Sequence, residues 1–192
     1  MRRPAKPPLH RRRQNGIMLI VVMLLLLVTT LISLSAFRGA TLEERMAANQ
    51  RDRQTAFQAA EASLRDAEAM LRTNVLGPFT PLRANAFVAT CVGGLCRSSE
   101  GLPLWSGFSE ADWTGAKTWA YGAATGAPAL QGVATQPRYA VEYQGTVQPI
   151  EPGKPCVAMF LITTRATGLN THSNVVLQSV YRHRAGECYA GV

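Results

Sequence analysis

The chain has 192 residues, which suits one soluble domain plus a short anchor and excludes two large domains. Its net charge of +8 comes mainly from the first 13 residues, which hold six of the 20 Lys and Arg residues and none of the 12 acids. Beyond residue 16 there remain 14 basic and 12 acidic residues, a net charge of +2, so the overall basicity does not predict a nucleic-acid-binding protein.

An uncharged run of 21 residues, 17–37, follows the basic arm. An apolar run of that length can cross a bilayer as a helix, and Arg and Lys before it hold the N-terminus in the cytoplasm. An ordinary signal peptide is cleaved after its apolar region, at small residues. Here the small residue Gly16 lies before the run, so cleavage after Gly16 would keep the apolar helix on the mature protein.

The helical pattern continues beyond the apolar run. Residues 38–72 contain no proline and one glycine and are rich in Ala, Glu, Arg, Gln, Leu and Met, which favour helix. The predicted helix therefore spans Ile17–Arg72 and ends before Gly77 and Pro78. Its second half carries an apolar stripe at spacings of three and four, which predicts packing on a globular domain. The residues of this stripe are Phe57, Ala60, Leu64, Ala67 and Leu71.

The rest of the chain predicts irregular structure followed by strands. Residues 78–135, rich in glycine and proline, contain all three tryptophans and show little periodicity. Residues 138–143, 157–165 and 175–182 are β-rich, with a turn near Gly168 and Asn170 between the last two. We expect an α+β fold, in which a long N-terminal helical spine packs on an antiparallel sheet with irregular, disulfide-containing loops.

The four cysteines, Cys91, Cys96, Cys156 and Cys188, all follow the apolar run. An even number in an exported domain favours disulfides, and four cysteines allow three pairings. We favour Cys91 with Cys96, because residues 92–95 can close a tight loop, and then Cys156 with Cys188. Structural zinc is the alternative, but the spacing lacks paired C-x-x-C knuckles.

No motif in the sequence predicts catalysis. The H-E-x-x-H, phosphate-binding glycine-loop and G-x-S-x-G patterns are absent, so we predict no catalytic residue, metal site or cofactor. The acids Glu61, Asp66 and Glu68 lie among arginines on the predicted helix, where Glu61 and Arg65 have the order of a surface ion pair. We therefore expect a protein that is not an enzyme.

Three charged residues, Glu43, Glu44 and Arg45, lie just beyond the predicted membrane segment. Two interpretations stay open for them. They contact neighbouring subunits where helices pack side by side, or they belong to a solvated juxtamembrane helix.

Several sequence blocks form one pattern along the chain: GIMLIV at 16–21, LEERMA at 42–47, RDR at 51–53, AFQAAEA at 56–62 and LRDAE at 64–68. Shorter blocks follow: GLC at 94–96, PRY at 137–139, TTRATG at 163–168 and VLQS at 176–179. Together they resemble the type IV pilin superfamily and, within it, the PilX-type minor pilins. The resemblance covers nearly the whole chain after residue 16.

The resemblance implies a pilin fold and a precursor with four parts. Residues 1–16 would be a cytoplasmic leader, 17–37 the transmembrane half of the helix, 38–73 its amphipathic half and 74–192 a periplasmic head domain. The prepilin peptidase would cleave between Gly16 and Ile17, and the new N-terminus at Ile17 would be methylated. The subunit would cross the inner membrane once, with its N-terminus inside, and then enter the pilus.

The implied partners are other minor and major pilins, contacted through the N-terminal helix, and a large adhesin at the pilus tip. The implied function is to help prime pilus assembly and to support adhesion and twitching motility. The sequence departs from major pilins at the fifth mature position, where Val21 replaces the usual glutamate. A carboxylate in hydrocarbon needs a partner, so Val21 suggests a subunit at the start of the filament; the alternative is an ordinary lipid-facing residue.

Three other functions remain as alternatives. A minor pseudopilin of a type II secretion system shares the leader and the helix. An exported periplasmic binding module would need signal-peptidase cleavage between Ser35 and Ala36, after the small residues Ser33 and Ser35. DNA binding would use 182–184, although these residues fit a solvated strand end and we expect no nucleic-acid partner.

Overall fold

The computed structural model describes residues 16–73, 86–97, 103–148, 154 and 156–184. The described elements, in chain order, are α1 (Ile17–Arg72), β1 (Leu95–Arg97), a 3-10 turn (Leu104–Gly107), α2 (Glu110–Thr114), β2 (Trp119–Ala120), β3 (Arg138–Val147), β4 (Val157–Thr167) and β5 (Asn174–Arg184). The chain divides into two compact units: a helical unit up to Ala47 and a globular unit from Ala48.

The helical unit consists of the first part of α1. The bounds of α1, Ile17–Arg72, confirm the predicted helix. Its apolar side chains are exposed along the whole unit, with Ile17, Leu25 and Phe37 at 71%, 60% and 71% of their full exposure. Among the described residues, α1 is the one helix long and apolar enough to cross a membrane.

The globular unit contains a five-stranded sheet in the order β1-β3-β4-β5, with β2 paired to part of β3. The three long strands form an antiparallel meander, which confirms the three predicted strands and extends each of them. Arg138 lies opposite Arg165 and Tyr143 opposite Phe160 between β3 and β4. The turn joining β4 to β5 lies at 168–173, where the sequence predicted it.

The sheet is mixed, which corrects the prediction of a purely antiparallel sheet. β1 joins β3 in parallel, with Leu95 opposite Val141 and Arg97 opposite Tyr143. Parallel neighbours need a crossover connection of a dozen or more residues. The segment 98–137 is long enough to make it, and its described part carries the 3-10 turn, α2 and β2. A strand of only three residues gives no sequence periodicity from which to predict it.

The main core lies between the second part of α1 and one face of the sheet. Ala67 and Met70 of α1 are fully buried against this face. Phe87 lies in the same cluster, with its ring centroid 5.7 Å from that of Tyr143 and 5.5 Å from that of Phe160. The remaining buried members are Leu71, Leu95, Tyr139, Val141, Cys156, Ala158 and Ile162. The sheet therefore covers the helix, as predicted.

The buried face of α1 differs from the predicted stripe at its N-terminal end. Phe57 is 44% exposed, whereas Ala56, Ala59 and Ser63 are buried beside Ala60. The helical period was correct, but small residues rather than the largest apolar one face the sheet at this level. Ala59 and Ala60 pack on Ala166 of β4 at this level. One turn earlier the β4–β5 turn approaches α1 so closely that a Cβ on Gly168 would collide with Asp52.

The other face of β3 is covered as well. Ala140 is buried in a second cluster with Cys91, Cys96, Leu104 and Phe108. Glu142, on the same face, is only 4% exposed. Both faces of β3 are therefore covered. The face that carries Tyr139 and Val141 packs toward α1, and the 3-10 turn and the cysteine loop lie over the face that carries Ala140 and Glu142.

Candidate functional site

The helical unit exposes an apolar surface whose hydroxyl groups are bonded within the helix. Thr29 Oγ1 donates to the carbonyl of Leu25 (2.9 Å), and Ser33 Oγ donates to that of Thr29 (2.8 Å). Thr30 and Ser35 donate in the same way to carbonyls three or four residues earlier. Side chains bonded to their own helix need no outside partner, so this surface suits hydrocarbon or the apolar surface of another helix.

The predicted processing residues lie at the start of α1. Gly16 forms the turn before the helix, and its carbonyl accepts a hydrogen bond from the Leu19 backbone N–H (3.3 Å). A Cβ placed on Gly16 would meet no atom within 4 Å. Ile17 is 71% exposed. The peptide bond between the two residues is therefore uncovered by any described part of the chain.

The predicted assembly residues are also exposed. Val21 is 48% exposed, and the first turn of α1 contains no acid. Glu43, Glu44 and Arg45 are exposed one turn and more beyond Phe37, and their side chains make no ion pair with another described residue. These charged groups therefore lie at the surface of the helical unit without an ion pair to any other described residue.

The cysteine loop contains a disulfide between Cys91 and Cys96, the pairing that the sequence analysis favoured. Both residues are 1% exposed. Cys91 adopts a positive φ of 56°, and Gly93 and Gly94 follow with positive φ, which closes the loop over β3. Cys156 is buried and disulfide-bonded directly before β4. Cys188 lies outside the described residues, so its pairing with Cys156 stays a prediction.

Asp52 fastens α1 to the β4–β5 turn, a role that sequence analysis missed. A hydrogen bond from the Ser173 side chain lowers the pKa of the Asp52 carboxyl, and bonds from backbone N–H groups lower it further. Those N–H groups belong to Leu169 (2.5 Å) and Asn170 (3.3 Å). A Cβ on Gly168 would collide with the backbone and side chain of Asp52, so glycine is required for this approach.

Asp66 makes a second connection of the same kind. It is 6% exposed, a burial that its position among arginines on the helix did not indicate. Its carboxylate accepts hydrogen bonds from the Gly122 backbone N–H (2.9 Å) and from the hydroxyl of Thr125. Burial raises the pKa of the Tyr139 phenol, and the negative charge of Asp66 raises it further.

The remaining helix acids behave closer to expectation. Glu61 forms the predicted surface ion pair with Arg65 at 3.4 Å, and Glu68 accepts a hydrogen bond from Ser179 Oγ of β5 (3.2 Å). No signal in the helical period distinguishes Asp52 and Asp66 from Glu61, because their partners lie about 60 to 120 positions away in the chain. Aspartate in a helix interior is disfavoured relative to glutamate, and this was the available hint.

The described residues hold no group of His, Cys, Asp and Glu side chains that could bind a metal ion. One acid of α2 is instead engaged in local contacts. Asp112 of α2 pairs with Lys117 at 2.7 Å and accepts from Ser109 at the start of α2. The bond to Lys117 and those from Ser109 lower the pKa of the Asp112 carboxyl to about 2.

Two family models match the chain. The PilX N-terminal model covers residues 15–65, and the model for the C-terminal part of the type IV pilus assembly protein PilX covers residues 47–183. Comparison with curated proteins and with solved structures gives no match. The two models meet within α1 and together span the helical unit from Gly16 onward and nearly all of the globular unit.

The hydroxyl groups of the apolar helix are hydrogen-bonded within the helix, and an α+β unit with a covered cysteine loop follows it in the chain. This is the structure expected of a pilin. This family consists of structural pilins rather than enzymes, and its members act with other components of the pilus. The match does not favour the secretion-system alternative. The chain therefore belongs to the PilX family of type IV pilus minor pilins.

Proposed function

We propose that this minor pilin helps prime pilus assembly and lies at the start of the filament, beneath a tip adhesin. The observation that carries the proposal is Val21, an exposed apolar residue at the fifth position after Gly16. A glutamate there would need the N-terminal amine of an adjacent subunit to offset its cost in hydrocarbon. Val21 enters hydrocarbon without such a partner, so this subunit does not depend on another one docked above it.

The proposal includes processing and orientation. The prepilin peptidase cleaves between Gly16 and Ile17, and Ile17 is then N-methylated. Before assembly the subunit crosses the inner membrane once, with residues 1–16 in the cytoplasm, since the six basic residues of this arm oppose its translocation. The globular unit is then periplasmic, in a compartment that supports the disulfide between Cys91 and Cys96.

Contacts with sister pilins would use the exposed apolar surface of the helical unit. Glu43, Glu44 and Arg45 have no described intramolecular partner, so their charges are available to neighbouring subunits. Adhesion and twitching motility would then depend on this protein indirectly, through the number of fibres that are started.

Terminal-peptide mass spectrometry on a sheared surface-fibre fraction tests processing and location together. We expect a methylated N-terminus at Ile17 in that fraction. An N-terminus at Ile17 that is found only in the membrane fraction would favour the pseudopilin alternative. An N-terminus at Ala36 would favour an exported binding module. A Gly16→Glu variant should remain unprocessed, whereas a Gly39→Ala variant, changed at an open position of the same helix, should be processed normally.

Position in the filament is tested separately by gold labelling of the globular unit. We expect label at fibre ends for the natural protein. A Val21→Glu variant should allow incorporation along the shaft, because its carboxylate can then meet the amine of the next subunit, and a Val22→Ala variant should keep the label at the ends. Even labelling along fibres of the natural protein would contradict the start-of-filament role.

A further inference from the structure

A small cleft opens on the outer face of the sheet, on the side away from α1. Its volume is about 150 Å³. Its walls are built by α2, the residues before β3, the facing ends of β3 and β4, and the β4–β5 turn. The lining residues used below are Glu110, Trp113, Arg138, Arg165, Thr167 and Thr171.

Two guanidinium groups line this cleft side by side. Arg138 of β3 and Arg165 of β4 are directly opposite in the antiparallel register, so their side chains leave the sheet on the same face. Like charges in such a position destabilise a sheet. A negative charge that lies near both guanidinium groups would offset this repulsion.

Arg138 is held in place without a carboxylate. Its Nε donates to Thr118 Oγ1 (2.7 Å), and its Nη2 donates to the carbonyls of Gly115 and Thr118 (both 2.8 Å). All three acceptors are neutral, and Asp112 of α2 is engaged by Lys117. Within the described residues Arg138 therefore has no counter-charge, and its Nη1 has no acceptor.

Arg165 has one acidic partner, and that partner is displaceable. Its Nη1 donates to Glu110 Oε2 at 2.6 Å. The Arg165 side chain is 19% exposed, but that of Glu110 is 72% exposed. The guanidinium also lies over the Trp113 ring, 5.8 Å from its centroid, and Trp113 is buried. The arginine is thus preorganised, whereas the acid that pairs with it lies largely in solvent.

We propose that this cleft binds a carboxylate group, which replaces Glu110 and bridges Arg165 and Arg138. Two arginines face one carboxylate there, so the site carries a net charge of +1 and favours a second anion. Guanidinium groups match planar carboxylates through paired N–H donors. Thr167, Thr171 and Trp113 also line the cleft.

The size of the cleft limits the ligand to one small group. Pockets for drug-sized molecules measure about 300–1,000 Å³, so 150 Å³ accepts a single acidic sugar ring or a single acidic amino-acid residue. Both sources offer the same chemistry, a carboxylate on a short polar body. This inference is independent of processing, membrane insertion and filament position.

The test is a titration of the full chain in detergent micelles. Binding is monitored through the NMR signals of the Arg165 Nε–H and the Trp113 indole N–H. The probes are N-acetylglutamic acid α-amide and glucuronate, and the matched neutral probes are N-acetylglutamine α-amide and glucose. We expect a saturable shift in the millimolar range with at least one acidic probe and none with its neutral partner. The responding probe identifies the source.

Two variants give opposite expected results, which separates binding from folding. Glu110→Gln removes the internal competitor and should tighten binding about two- to fivefold, the value of an exposed ion pair. Arg165→Gln should weaken binding about tenfold or more, because it removes a charge-assisted bond. Glu61→Gln and Arg65→Gln change the same charges in an ion pair on α1, away from the cleft, and should leave binding unchanged.

Three results would overturn the proposal. The first is the absence of any shift with both acidic probes. The second is an equal shift with sulfate or chloride, which would indicate a general anion effect. The third is equal affinity in the natural protein and in Glu110→Gln, since the proposal requires Glu110 to compete with the ligand.

Discussion

The helical unit and the globular unit satisfy their polar groups in different ways. In the helical unit the hydroxyls of Thr29, Thr30, Ser33 and Ser35 bond to carbonyls three or four residues away, and the apolar side chains remain exposed. In the globular unit the decisive bonds connect distant segments, such as Asp52 to Leu169 and Asp66 to Gly122. The first unit therefore depends on its surroundings to cover its surface, whereas the second supplies its own core.

The largest expected difference between the two units is the loss of stability when an apolar side chain is truncated. Phe160→Ala removes a ring packed on Phe87 and Tyr143 and should lower the free energy of unfolding of the globular unit by about 3–5 kcal/mol. Leu25→Ala, in the helical unit, should change it by less than about 0.5 kcal/mol. Urea unfolding in micelles measures both, because all three tryptophans lie in the globular unit.

If Phe160→Ala does not fold, the milder Ile162→Val keeps the comparison measurable, with an expected loss of about 0.5–1.5 kcal/mol. Equal losses from Phe160→Ala and Leu25→Ala would show that the two units share one core, contrary to this description.

The next largest effect is expected from the disulfide. Replacing Cys91 and Cys96 by Ser opens a loop closed over a sequence separation of five, and the loop-entropy relation predicts a loss of about 2 kcal/mol. Dithiothreitol should lower the stability of the double variant no further at this loop, because the disulfide is already absent there. An unchanged urea midpoint in the double variant would contradict a stabilising role.

A smaller effect is expected where the β4–β5 turn approaches α1. Gly168→Ala places a Cβ against Asp52 and should cost at least about 1 kcal/mol through overpacking. Gly107→Ala is the matched control, because a Cβ there meets nothing within 4 Å, and its expected effect is close to zero. Similar unfolding curves for both variants would show that the turn can move away from the helix without cost.

The smallest effect is a pH dependence. Hydrogen bonds lower the folded-state pKa of Asp52 below its ordinary value of 3.8. A lowered pKa stabilises the fold above the ordinary value, and this contribution is lost as the pH falls through the folded-state pKa. Asp52→Asn should therefore flatten the loss of stability below about pH 4.

Asp112→Asn is the comparison for this experiment, because the pKa of Asp112 is also lowered, to about 2, by partners that lie within five residues. This variant should keep the part of the acid dependence that belongs to Asp52. Urea unfolding at a series of pH values measures both. If Asp52→Asn loses stability in acid in the same way as the natural protein, the ionisation of Asp52 does not contribute to the pH dependence of stability.

Much of the architecture could be predicted because its signals are local. The bounds of α1 followed from residue propensity and the absence of proline, and the three long strands followed from β-rich segments. The tight loop between Cys91 and Cys96 limited the choice of pairing. The burial of Asp66, the exposure of Phe57 and the parallel strand β1 were missed, because each depends on a segment far away in the chain.

The amino-acid pattern alone predicts an apolar helix behind a basic arm, an α+β unit and the residue blocks of the family. These properties depend on composition and on short-range periodicity, from which helices and strands can be predicted directly. The folded structure was needed to show which small residues of α1 face the sheet and that Asp52 and Asp66 bind distant loops. It also placed Arg138 and Arg165 in one cleft, since strand register brings together residues that no local pattern connects.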